Sequence, residues 1–163
     1  MSKLIVRKAE WSELPRIFAL KKQIHDLHVN GRPDLFRPAV EEEALPDFFD
    51  VEQMRLILAE ENGEAIGYAL IQHVDRKANP YMQERHFVHV EEFCVSENHQ
   101  HRGIGRMLMD AVRKCAKESG YPRIELDVWA FNEGAKQFYE AVGLKPFRYF
   151  MEMNADAELY LSE

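Results

Sequence analysis

Cysteine is scarce in this chain: Cys94 and Cys115 are its two thiols, and each lies in an apolar run. Two cysteines so placed make neither a disulfide framework nor a metal-ligand set, so reduced core thiols in a cytoplasmic protein, with no metal, are the expectation. Positive charge is in deficit as well. Against 28 Asp and Glu stand 21 Lys and Arg, a formal net charge of -7, which argues against nucleic acid as a partner and mildly favours cationic ligands. No window approaches the ~18 apolar residues of a membrane span, and the N-terminus lacks the apolar core of a signal peptide. Neither a membrane nor export is expected. Repeats, low-complexity tracts and linkers are missing too, so the 163 residues, 46% of them apolar, are read as one domain over 1–163. Two phosphate signatures also fail. No Gly-x-x-x-x-Gly-Lys-Ser/Thr is present, and Gly-x-Gly-x-x-Gly breaks at Leu108.

What the chain does have is a strand, a loop and a helix between Val88 and Gly120. Val88 to Val95 is short, apolar and rich in β-branched and aromatic residues, interrupted by Glu91 and Glu92, and it reads as a buried strand. A polar loop follows, then Gln100-His101-Arg102-Gly103-Ile104-Gly105. From Ile104 the apolar positions change period to Met107, Leu108, Ala111, Val112 and Cys115, one face of an amphipathic helix that Gly120 ends. The first N–H groups of such a helix lack carbonyl partners and lie at the positive end of its dipole, where an anion is favoured. Gly103 and Gly105 remove Cβ atoms that would hold a pyrophosphate off the backbone, and Arg102 and Arg106 add positive charge.

Gln-x-x-Gly-x-Gly after a strand resembles the GCN5-related N-acetyltransferase superfamily, in which this loop cradles the pyrophosphate of acetyl-coenzyme A. The strand "VEEFCV", the step from Val95 to Gln100 and the helix behind them match. So does a second block, "IELDVWAFNEGAKQFYEAVGLKPFRYFMEM" from Ile124 to Met153, which is similar to the family's fifth strand, its cofactor-contacting Asn, its "FYE" helix and its return into a final strand. The resemblance covers roughly the whole chain. It implies acetyl-CoA as cosubstrate, held by Phe93, Cys94, Val95, Gln100, His101, Arg102, Gly103, Ile104, Gly105, Arg106, Asn132, Ala135 and Tyr139. Asn132 is also a good cap for the helix from Glu133 to Val142.

The rest of the chain is read around that centre. Lys3 to Lys8 is a first strand; Ser12 is the expected cap of a helix with Pro15 in its first turn, running to about His28. The stretch from Arg32 to Met54 is read as a loop and a short helix over the sheet, with Glu41-Glu42-Glu43 as a solvated face. In the family this region forms much of the acceptor pocket, which makes His25, His28, Arg32, Asp34, Phe36 and Arg37 candidates. Asn62-Gly63 between the runs Arg55–Glu60 and Ala65–Val74 signals a hairpin. With a strand over Ile124–Val128 parallel to Val88–Val95 and a final strand, the fold class is α/β (α+β): a mixed, mostly antiparallel central sheet with helices on both faces. The resemblance adds a splay between strands 4 and 5, into which the pantetheine arm enters.

Acyl transfer from a thioester to an amine needs a proton acceptor for the ammonium, stabilisation of the carbonyl oxygen and protonation of the departing thiolate. The resemblance implies Tyr139 for the thiolate. For the base it implies Glu91, directly or through a water, or His89; alternation along the strand puts His89, Glu91, Phe93 and Val95 on one face and Glu92 and Cys94 on the other. The oxyanion donor is expected at the Val95 main chain, on a bulge there. The leading expectation is an N-acetyltransferase of a small-molecule primary amine, such as a polyamine, amino acid or aminoglycoside. A protein N-terminal or lysine acetyltransferase, and a noncatalytic acyl-CoA binding module, stay open beside it, as does a homodimer.

Overall fold

The computed structural model describes residues 1–38 and 52–157. The reading of 39–51, including Glu41-Glu42-Glu43, lies outside the described residues. Five strands form one sheet in sequence order: β1 (Leu4–Ala9), β2 (Met54–Glu61), β3 (Glu64–Arg76), β4 (Arg85–Val95) and β5 (Ile124–Leu126). The first four pair antiparallel, and β5 runs parallel to β4, as a helical crossover requires. Asn62 and Gly63 both have positive φ (51° and 83°) and turn β2 into β3, the geometry of the hairpin expected there.

Two apolar layers sandwich the sheet. On one face α2 (Ile104–Glu118) lays Ile104, Leu108, Met109, Val112, Cys115 and Ala116 against Ile57, Ala59, Ile66, Ala69, Ile71, Val88 and Val90. Met107, expected on that face, is 39% exposed at its margin. On the other face a 3-10 helix (Trp11–Ile17) and α1 (Phe18–Gly31) bring Leu14, Ile17 and Leu20 onto Leu56, Leu58, Tyr68, Leu70 and Cys94. Both cysteines are buried and free. The first helical turn starts two residues earlier than a cap at Ser12 would place it. Its N-cap is Glu10, whose backbone N–H donates to the Glu13 carboxylate (2.8 Å), because Glu13 also pairs with Arg7 and Arg16 and so anchors the turn to β1.

Two expectations about the second half are corrected. The fifth strand stops at Leu126, short of Val128, because its pairing with β4 ends at the Val90–Leu126 rung. The residues from Lys145 to Met153, expected to form a final strand, are exposed, have no regular structure and join no sheet among the described residues. Between the two segments lies α3 (Glu133–Ala141), whose Phe138 and Tyr139 lean on the α2 layer.

The α2 layer comes close enough to β3 to demand glycine. A Cβ on Gly67 would stand 2.9 Å from the Cys94 carbonyl oxygen and 3.1 Å from Leu108 Cδ1. Gly67→Ala should therefore cost about 1–3 kcal/mol through overpacking, read as a lowered midpoint of urea unfolding with an unchanged slope. A midpoint equal to wild type would show that the contact relaxes freely.

Candidate active site

The site starts from a break in the sheet. Opposite Leu70 and Ile71 the register of β4 jumps from Val90 to Glu92, so Glu91 is an extra residue, a β-bulge. The bulge sits at Glu91, and the one expected at Val95 is absent. It also resets which side chain faces which layer. Val88 and Val90 face α2 before it, and Phe93 and Val95 face α2 after it. Glu92 and Cys94 face α1, where Glu92 is held by Lys21 and by the Tyr68 hydroxyl (2.8 Å). The expected common face of His89, Glu91, Phe93 and Val95 is thus split, since strict alternation does not survive an inserted residue. His89 and Glu91 remain together, and Phe93 and Val95 belong to the opposite side.

Beyond the bulge β4 has no strand partner on its outer side among the described residues, because β5 has already ended. The two strands stop pairing there, at the place where the resemblance implied a splay. His89 marks its floor. Its Nδ1 is 2.9 Å from Glu91 Oε1 and its Nε2 is 3.3 Å from Asp127 Oδ2, the first residue past β5. The hydrogen bond to Glu91 holds the His89 pKa above its ordinary value, against the opposing effect of burial. Asp127 carried no motif, and only the parting of the strands brings it to His89. The Lys21–Glu92–Tyr68 cluster likewise had no signal in the sequence.

On the far side of the opening, Tyr139 packs edge-on to Phe93 (6.0 Å between centroids) beside Phe138. Burial pushes its pKa up to about 12, so its phenol is a proton donor at neutral pH. Its hydroxyl has no hydrogen-bond partner among the described residues. Cys94 points away: its thiol faces the Leu20 carbonyl (3.6 Å), and burial raises its pKa to about 12. Of the cofactor calls, Cys94 can then contribute only its backbone.

The loop after β4 has the shape of an anion cradle. Gln100 donates through Nε2 to the Val95 carbonyl (3.3 Å), tying the loop to the strand end. His101 (φ 63°) and Gly103 (φ 81°) both take the left-handed conformation, which turns successive N–H groups to one side. Gly103 caps α2, whose first helical bond is Met107 N–H to the Gly103 carbonyl (3.1 Å). The N–H groups of Ile104, Gly105 and Arg106 therefore have no acceptor within the helix. A Cβ on Gly103 would meet nothing within 4 Å, so the cradle is open. Gly105 carries a further constraint: a Cβ there would come within 3.0 Å of the Phe138 ring, so glycine also lets α2 approach α3. Arg102 is also not where charge alone suggested: it forms a two-pronged pair with Glu61 (2.7 and 3.0 Å) on β2, which holds the Glu61 carboxyl down at about 2. Arg106 is exposed and has no ion-pair partner among the described residues.

Asn132 caps α3, accepting from the Ala135 N–H (3.1 Å), which places both residues at the start of the helix that carries Tyr139. Of the acceptor candidates, His28 stacks on Phe36 (5.0 Å) and approaches Trp129 and Phe131 (6.3 Å each). Burial lowers the His28 pKa, which favours the neutral ring. His25 donates to the Arg37 carbonyl (2.6 Å), while Arg32 holds Asp34 and Glu152. The aromatic wall is thus shared by α1 and the turn after β5, and the contribution of Trp129 and Phe131 was not legible in the sequence. Among the described residues no cluster of His, Cys, Asp and Glu is arranged to hold a metal, and no helix is long and apolar enough to cross a membrane.

Residues 21–144 match the acetyltransferase (GNAT) family model. The chain belongs to this family. An uncharacterized N-acetyltransferase from the pepI 3' region of Lactobacillus delbrueckii subsp. lactis is 31% identical over 86 residues, 53% of this chain and 49% of that protein. The chain thus spans about half the length of that curated relative. Among solved structures, a tetramutant of the BH1408 protein from Bacillus halodurans is 30% identical with a TM-score of 0.84, covering 92% of this chain and 99% of that one. The aminoglycoside N-acetyltransferase AAC(6')-Iy, solved in complex with CoA, shares the fold at a TM-score of 0.68 and 18% identity, with 96% of this chain and 97% of that one covered.

The His89 environment gives a direct test. In an NMR titration the His89 ring should change charge above pH 6.5, and Glu91→Gln should bring that midpoint down, because the amide cannot favour the imidazolium as a carboxylate does. An unmoved midpoint would place the Glu91 carboxylate out of contact with the ring in solution.

Proposed function

We propose that this GNAT-family chain is an acetyl-CoA-dependent N-acetyltransferase of a small cationic amine, working by direct transfer in a ternary complex. The observation that carries the reading is the parting of β4 and β5, with the open N-terminus of α2 at one end and Tyr139 facing Phe93 across the gap. In this reading the unpaired N–H groups of Ile104, Gly105 and Arg106 hold the diphosphate, and the unpaired edge of β4 beyond Glu91 holds the pantetheine by strand-like hydrogen bonds. The thioester then lies in the gap between Phe93 and Tyr139.

The acceptor enters from the α1 side. Glu91, Asp127 and Glu92 supply negative charge there, and His28, Phe36 and Trp129 supply an apolar wall, a combination suited to an ammonium on a compact carbon frame. Acetyltransferases of aminoglycosides share the fold, which is consistent with a small-molecule acceptor. The pair His89–Glu91 takes the ammonium proton. Its competent form has a neutral imidazole, so turnover rises with pH through the raised His89 pKa and flattens above it. The neutral amine attacks the thioester carbon, the C–S bond breaks as the C–N bond forms, Tyr139 gives its proton to the leaving sulfur, and the second proton shed by the new amide nitrogen restores the Tyr139 phenol. Tyr139 keeps that proton up to about pH 12, so it imposes no alkaline limb near neutrality.

Two variants test the assignment against release of free thiol from acetyl-CoA over a panel of polyamines, amino acids, aminoglycosides and peptides. Tyr139→Phe should lower kcat by roughly 10²-fold and leave CoA affinity by calorimetry within twofold. An equal loss of both would make Tyr139 a packing residue. Gly103→Glu should weaken CoA binding at least tenfold, since it puts bulk and negative charge into the cradle. Gly103→Ala, which brings only backbone strain, serves as the control. Undiminished binding by the glutamate variant would remove the diphosphate from this loop, and tight CoA binding without turnover on any amine would make the protein a binding module.

A further inference from the structure

His89 stands between two carboxylates that are not equivalent. Its Nδ1 is 2.9 Å from Glu91 Oε1 and its Nε2 is 3.3 Å from Asp127 Oδ2. A carboxylate only accepts, so both contacts are hydrogen bonds at once only while the ring is an imidazolium with two N–H groups. When the ring gives up a proton, one nitrogen is left with a lone pair that faces an acceptor. The geometry decides which one. The Glu91 contact is the shorter, and the Glu91 side chain is 30% exposed against 80% for Asp127, so water weakens the Glu91 bond less. Nδ1 keeps its proton and Nε2 becomes the base. A lone pair and a carboxylate then stand side by side at the solvent end of the ring. The neighbouring charges are already matched: Glu125, the rung partner of His89 on β5, is held by Arg85 and Arg123, and Glu92 on the α1 side is held by Lys21.

We propose that the gap between His89 Nε2 and Asp127 Oδ2 is the seat of the reacting ammonium, a role that rests on the acetyl-transfer reading of the site. A primary ammonium brings three N–H donors, and the two acceptors take two of them, one bond being charge-assisted on both sides. The ammonium passes one proton to Nε2 and its nitrogen keeps the electron pair of that N–H bond. The imidazolium so formed gives the proton to water at the exposed Asp127 end after the transfer. Glu91 fixes the ring from behind, as the inner carboxylate of an acid–histidine pair fixes the tautomer while the far nitrogen takes the proton. Asp127 binds the cation in front. Trp129, two residues further on, approaches His28, so the seat for the ammonium and the wall for its carbon frame come from one segment of chain.

Ring-nitrogen NMR of the full chain tests this without acetyl-CoA. Above the midpoint of its titration, His89 should carry its proton on Nδ1; a proton on Nε2 would overturn the assignment. n-Butylammonium should shift the Nε2 resonance and bind at least tenfold more tightly than N,N,N-trimethylbutylammonium, which has the same charge and no N–H donor. Equal binding of the two would put the cation against the aromatic wall and overturn the seat. Asp127→Asn removes the charge from an exposed side chain and leaves the core intact. It should weaken n-butylammonium at least tenfold, raise KM for the best amine of the panel more than it lowers kcat, and move the rise of the pH–rate profile to lower pH, because one of the two carboxylates that favour the imidazolium is gone. Asp127→Glu should recover part of each effect. Unchanged amine affinity in Asp127→Asn would overturn the proposal. Absence of turnover on every amine would instead count against the acetyl-transfer reading, with the tautomer and the n-butylammonium titration still deciding the seat.

Discussion

Val90 and Leu126 form the last rung that β4 and β5 share, and what happens past that rung places every group in the proposed reaction. A parallel pair that continued would bury its backbone groups in a ladder and leave no room for a ligand. Because it stops, the outer edge of β4 keeps free donors and acceptors, and the chain after β5 is released to carry Asp127 to His89 and Trp129 to His28. The bulge at Glu91 works with the parting. One extra residue lets β4 send His89 and Glu91 toward the α1 layer and Phe93 and Val95 toward the α2 layer, so in the proposed reaction a single strand would serve both substrates.

The charges around the opening follow the same division. On the α1 side three carboxylates gather within reach of His89 and Lys21, and burial keeps His28 toward its neutral form. At the α2 end the positive contribution comes from the helix terminus and Arg106, since Arg102 is spent on Glu61. In the proposed reaction the diphosphate and the ammonium would thus be drawn to opposite mouths of one gap, with the phenol of Tyr139 between the layers and protonated at any physiological pH. Glycine serves two separate needs along one loop. Gly103 supplies a left-handed turn and open space, while Gly105 lets α3 press Phe138 onto α2 and so fixes the height at which Tyr139 stands.

The sequence by itself determined the sheet's hairpin and the amphipathic helix behind the loop, because each depends on local order. Asn62-Gly63 needs only two positive φ angles, and the stripe from Ile104 to Cys115 only a helical period. The helix capped by Asn132 was legible for the same reason, as part of one contiguous block. Only the tertiary structure decided what depends on strands meeting or failing to meet. The bulge is set by how β3 pairs with β4, so the faces of Glu91 and Phe93 could not be read by alternation. The Asp127 contact to His89 spans 38 residues, and that of Glu92 to Lys21 spans 71; neither leaves a periodic trace. The strand after Gly143 was implied by the resemblance, yet a strand exists only where a neighbour offers hydrogen bonds, and no local pattern names that neighbour.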